Sequence, residues 1–141
     1  MRITTVEPNH IHQSWPLVEP FIKSAMAEGA LYGEEYRDYN LSHIKQFVTS
    51  GQWLLIVAVD DDNNVHGAAT VSFLNTPNHR NAIVTSTGGR LITNKDTFEQ
   101  LKQLVTAFGA TKLQAFGRPS MVRYLKRFNF EPRNTLMEIK L

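Results

Sequence analysis

Three stretches of this 141-residue chain carry residue types that could do chemistry. The first runs Gly88-Gly89-Arg90, then Thr93, Asn94 and Lys95. Glycines let a backbone approach a ligand closely, and the amides and charges at a helix start attract an anion. A plainer reading stands beside it: Gly88-Gly89 bends or bulges a strand, and Asn94 is a helix cap. The second is His79, in a turn-like run, because histidine is the residue type most often used as a general base. A lone turn histidine is otherwise simply solvated. The third is Asp60-Asp61-Asp62-Asn63-Asn64, which starts like a calcium loop but lacks the glycine at position six and the closing glutamate. A solvated hairpin turn suits it better.

Other constellations are poorer. His10 and His12 flank Ile11 at a strand-like spacing, but with no third ligand nearby no metal site is expected. His43 and His66 stand alone. No serine sits in a Gly-x-Ser-x-Gly context. The chain has no cysteine, which excludes thiolate ligands, a cysteine nucleophile and disulfides, and suits a reducing cytoplasm. Net charge is +2 with 42% hydrophobic residues. So small an excess argues against nucleic acid as a partner, and the composition is that of an ordinary globular protein. No run is long enough to span a membrane. A single domain over residues 1–141 is expected.

The elements that must position these residues follow from periodicity and punctuation. Residues 3–6 read as a first strand. Val18, Phe21, Ile22, Ala25 and Met26 are helically spaced. Pro16 and Pro20 are tolerable only near a helix start, so this helix is expected from about Glu19 to Gly29. Residues 30–39 read as a loop. Asn40 caps a second helix bearing Leu41, Ile44, Phe47 and Val48 on one face. Residues 53–59 and 65–74 form a hairpin around the acidic turn, and 82–87 make a fourth strand after the turn at 75–79. Asn94 starts a third helix with Phe98, Leu101, Leu104, Val105 and Phe108 inward, stopped by Gly109. Residues 112–116 are a fifth strand. Pro119 opens a fourth helix with Val122, Leu125 and Phe128 inward, and residues 136–141 alternate as a terminal strand. Trp15 and Trp53 are expected in the core. The order predicts an α/β fold, a mixed central sheet flanked by about four helices.

That order, with Asn75-Thr76-Pro77, Gly88-Gly89, Phe116-Gly117-Arg118 and Met121-Val122-Arg123-Tyr124-Leu125-Lys126, resembles small GNAT-like (N-acetyltransferase-fold) proteins of tailed phages. Asn129-Phe130-Glu131-Pro132 stands where that family carries Gly-Tyr or Gly-Phe before Glu-Pro. The resemblance implies that acyl-CoA lies between the fourth and fifth strands. Its pyrophosphate would sit on Gly88, Gly89, Arg90, Thr93, Asn94 and Lys95, although the family's Arg/Gln-x-x-Gly-x-Gly/Ala spacing is absent. It also implies a tyrosine general acid in the fourth helix. That position falls on Leu125, with Tyr124 one step away and so rotated by about 100°. His79, Glu34 or Glu35 are the candidates for the base that serves an acceptor amine. Arg118, Arg123, Lys126, Arg127 and Arg133 either face a phosphate or solvate the outer face of the fourth helix.

Two functions follow as expectations. The departures favour a GNAT scaffold reused in phage morphogenesis, binding virion or ejection proteins in the host cytoplasm and needing no cofactor. The alternative is an N-acetyltransferase that moves an acetyl group from acetyl-CoA to an amine through a nonstandard site.

Overall fold

The computed structural model describes residues 1–29, 37–117 and 119–141. Its centre is a five-stranded sheet in the order β1-β2-β3-β4-β5: Arg2–Val6, Leu54–Val59, Val65–Asn75, Arg80–Gly89 and Lys112–Ala115. The first four strands are antiparallel neighbours, and β5 runs parallel to β4. Four helices flank the sheet: α1 (Ile11–Gly29), α2 (Leu41–Thr49), α3 (Lys95–Ala107) and α4 (Pro119–Lys126).

Side chains alternate across a strand, so the near-continuous apolar run of β2 requires cover on both faces. Leu55 and Val57 face a core built with Trp15, Val18 and Ile22 of α1 and Ile44 and Val48 of α2. Ile56 and Ala58 face a second core with Leu101 and Val105 of α3. Trp15 and Trp53 are both buried, as expected of core residues.

The β2–β3 turn is organised by one carboxylate. Asp60 Oδ1 accepts from the amides of Asp62 and Asn64, each at 2.9 Å. Its Oδ2 lies 2.7 Å from His66 Nε2. These bonds, His66 first, hold the Asp60 carboxyl at about 2 instead of 3.8. Asn63 takes the left-handed conformation that asparagine tolerates (φ 62°). No cluster of metal-ligating side chains occurs among the described residues. Nor is any described helix long and apolar enough to cross a membrane.

Four expectations need correction. Phe108, expected inward on α3, lies just past the end of that helix and is 45% exposed. Helix α1 begins at Ile11, eight residues before Glu19, with Pro16 and Pro20 inside it. Each proline strips a partner amide from the carbonyl four residues earlier, those of His12 and Pro16. His12, Pro16 and Pro20 are all exposed, so water replaces those bonds while Ile11, Trp15, Val18 and Ile22 bury the opposite face. Helix α4 ends at Lys126, so Phe128 packs from the following turn, with its ring centroid 5.0 Å from that of Phe98. The terminal strand is absent: residues 136–141 are in no strand, and Leu136, Met137, Ile139 and Leu141 are exposed. Alternation alone cannot make a strand, because the backbone must also find a partner edge.

Candidate functional site

Strands β4 and β5 pair over only four residues, from Asn81 with Lys112 to Val84 with Ala115. Beyond that pair β5 ends, while β4 continues to Gly89 against β3 alone. Residues 85–89 therefore present an open backbone edge inside the sheet, with donors and acceptors that a ligand can use.

The parting coincides with a bulge. Thr70 pairs with Ser86 and Val71 with Val84, so Thr85 is an extra residue on β4. The bulge brings three hydroxyls together. Thr70 Oγ1, fully buried, lies 2.7 Å from Thr85 Oγ1 and 2.5 Å from Ser86 Oγ. The Thr85 hydroxyl donates to the Thr70 carbonyl at 3.0 Å. With that proton committed, both contacts of Thr70 Oγ1 carry a hydrogen only if Thr70 donates to Thr85 and Ser86 donates to Thr70. Sequence reading missed this trio. A run of Thr85-Ser86-Thr87 facing Thr70 was the available signal, but it becomes a cluster only through a register shift that sequence does not disclose.

Below the parting lies an apolar cavity of about 50 Å³, lined among others by Val84, Thr87, Leu113, Ala115, Leu125 and Phe130. Leu125, at the position where the resemblance expects a tyrosine, is thus part of its wall. The Tyr124 hydroxyl donates instead to the carbonyl of Ile92, tying α4 to the loop before α3. His79 stands at the other end of β4, its Nδ1 2.9 Å from Thr111 Oγ1. Six extended residues put it roughly 20 Å from the bulge. Glu34, Glu35 and Arg118 lie outside the described residues. Arg123, Lys126 and Arg127 are exposed, and Arg133 pairs with Glu131 at 2.9 Å.

The glycine and helix-start stretch divides in two. A Cβ on Gly88 would lie 2.1 Å from the Phe21 carbonyl oxygen, and Gly89 adopts φ +70° against the Phe21 ring. Both glycines admit helix α1 to the sheet. At the start of α3, Asn94 Oδ1 accepts from the Thr97 amide, while Thr97 Oγ1 accepts from the amides of Thr93 (3.0 Å) and Asn94 (3.2 Å). Three amides are thereby engaged within the chain. The amides of Lys95 and Asp96 have no partner among the described residues, and the exposed Arg90 and Lys95 side chains stand at either end of the loop.

No protein-family model matches the sequence, and no curated protein resembles it significantly. Solved structures do resemble it in fold. A probable acetyltransferase shares 15% identity with a TM-score of 0.67, over 100% of this chain and 97% of its own. An aminoglycoside acetyltransferase from an uncultured soil metagenomic sample, in complex with sisomicin, shares 14% with a TM-score of 0.67, over 99% and 95%. A predicted acetyltransferase from Clostridium acetobutylicum, with acetyl-CoA, shares 11% with a TM-score of 0.61, over 99% and 95%. The mixed sheet with parting strands and four flanking helices is the GNAT-type acetyltransferase fold.

Proposed function

We propose that the chain is an N-acyltransferase that uses acetyl-CoA. The observation that carries this reading is the separation of β4 from β5 beyond Val84 and Ala115, at the Thr85 bulge. The edge at residues 85–89 can pair with a ligand carrying amide groups, as the pantetheine arm does. The cavity beside it holds about three or four water-sized groups, which suits an acetyl group and not a long acyl chain. The free amides of Lys95 and Asp96, with the Arg90 and Lys95 charges, can meet phosphate. That is a weaker cradle than a glycine-rich loop would give, because Gly88 and Gly89 are committed to α1 and Thr97 holds the neighbouring amides. Bound acetyl-CoA would supply the activated thioester. The protein's own part is to align that ester along the open edge of β4 with its acetyl group in the cavity.

Calorimetric titration with acetyl-CoA tests the reading. Saturable binding is expected, and Ala115→Trp, which fills the mouth of the cavity, should weaken it at least tenfold while the protein stays folded. Binding unaffected by Ala115→Trp, or none at millimolar ligand, would overturn it.

A second reading draws on a different observation, the exposure of Phe116, Leu136, Met137, Ile139 and Leu141. Apolar surface of that extent suits contact with another protein. On this reading the scaffold binds virion or ejection proteins during phage assembly. Co-purification with a defined virion protein, abolished by charged substitutions at Phe116, would support it, and loss of acetyl transfer without loss of that contact would separate the two.

A further inference from the structure

Strand alternation sorts the residues around the parting onto two faces. Val84, Thr87, Leu113 and Ala115 line the cavity together with Leu101 of α3 and Leu125 of α4. A Cβ on Gly117 would meet Met121 and Leu125 of α4, so Gly117 continues that face. Gln114 and Phe116 therefore point to the other side of the sheet, the side that α1 covers at Gly88. Thr85 and Ser86 point there too, because both hydroxyls reach Thr70, whose strand neighbours Ala69 and Val71 face the α3 core. We propose that this side of the parting binds the acceptor, and that the acceptor is a primary monoamine with an aromatic body, seated between Phe116 and Ser86. The proposal rests on the acyl-transfer reading and names its second substrate.

Three observations carry the proposal. The first is continuity. Val84 and Ala115 form the last β4–β5 pair and also line the cavity, so a group arriving from the α1 side reaches a cavity-bound acetyl carbonyl through the gap just beyond them. The second is Phe116. It is 78% exposed directly after β5, and continuing the parallel register sets it across the gap from Thr85. An aromatic ring left in water beside an opening offers a flat apolar face to another ring. The third is hydrogen-bond polarity at Ser86. With every contact in the cluster carrying a hydrogen, the protons run from Ser86 to Thr70, from Thr70 to Thr85 and from Thr85 to the Thr70 carbonyl. The half-buried Ser86 oxygen thus has lone pairs to offer an incoming group but no proton. It takes an N–H from an amine and leaves the nitrogen lone pair, which a hydroxyl donor would occupy, free for the acetyl carbon. A second ammonium finds no counter-charge on these strands, since β3, β4 and β5 contain no aspartate or glutamate. Lys112, exposed on the same face as Gln114, adds a like charge.

Amide shifts of the isotope-labelled full chain, titrated with 2-phenylethylamine or with ethylamine and no coenzyme, test the site without relying on turnover. The aromatic amine is expected to shift Ser86, Gln114 and Phe116 saturably and to bind about tenfold more tightly than ethylamine, the margin that partial burial of a phenyl ring gives. Phe116→Ala should abolish that margin while acetyl-CoA affinity, read by calorimetry, is unchanged, and Ser86→Ala should weaken both amines alike. Spermidine should bind less tightly than 2-phenylethylamine. Equal binding of the two monoamines, shifts confined to other surfaces, a margin that survives Phe116→Ala, or a preference for spermidine would overturn the proposal. Failure of acetyl-CoA to bind would instead sink the acyl-transfer reading, whatever the amine titration shows.

Discussion

Gly88→Ala should destabilise the protein strongly, and the reason is steric. In a strand alanine is ordinarily better than glycine by about 0.5–1 kcal/mol, since it loses less backbone entropy. Here the added methyl would sit 2.1 Å from the carbonyl oxygen of Phe21. That oxygen belongs to the α1 backbone, so no side-chain rotation relieves the contact, and the helix must retreat by about 1 Å. Val18 and Ile22, both 0% exposed, would lose close packing as it does. Overpacking of this kind costs about 2–4 kcal/mol, outweighing the alanine gain. For a domain of this size the melting temperature should fall by roughly 6–15 °C. Urea denaturation and a thermal melt of the ligand-free protein measure it. If Gly88→Ala melted like the unaltered protein but lost acetyl-CoA affinity, the glycine would be serving a ligand, and the steric explanation would fail.

Two further substitutions probe local parts of the structure. Asp60 has a folded pKa of about 2, below its ordinary 3.8, so its contribution is complete above that ordinary value and vanishes as pH falls toward 2. Asp60→Ala should therefore be less stable than the unaltered protein at neutral pH, and urea midpoints of the two should converge between pH 4 and pH 2. A difference that persisted at pH 2 would show that the charge is not what matters. Thr97→Val keeps the buried shape but removes the acceptor for the Thr93 and Asn94 amides. It should cost about 1–2 kcal/mol in urea denaturation, and an unchanged midpoint would refute the capping role.

Where local signals are decisive, the fold is legible in the sequence. Asn40 and Asn94 mark helix starts, because their side chains accept from the amides of His43 and Thr97. The 60–64 turn, the hairpin strands, the face of α2 and that of α3 as far as Val105 follow from punctuation and period. Features that depend on tertiary cover are not legible. Two prolines inside α1 are admissible only because their face meets water, and residues 136–141 lack the edge their pattern asks for. The site shows the same division. The stretch from Gly88 to Lys95 stands out as glycines and bases, yet the steric role of the glycines emerges only once Phe21 is laid across them. Tyr124 stands out as a hydroxyl in the fourth helix, but its bond to Ile92 depends on how α4 docks. The Thr70, Thr85 and Ser86 cluster depends on a single-residue bulge, which composition and periodicity do not encode.

The central claim is that the parting of β4 and β5 is a binding groove for acetyl-CoA. Amide chemical shifts of the isotope-labelled protein, followed during titration with acetyl-CoA, test it most directly. Saturable shifts are expected at residues 85–89, at Ala115 and at the amides of Lys95 and Asp96, with the β2–β3 turn unmoved. Shifts confined to other surfaces, or none at millimolar ligand, would contradict it.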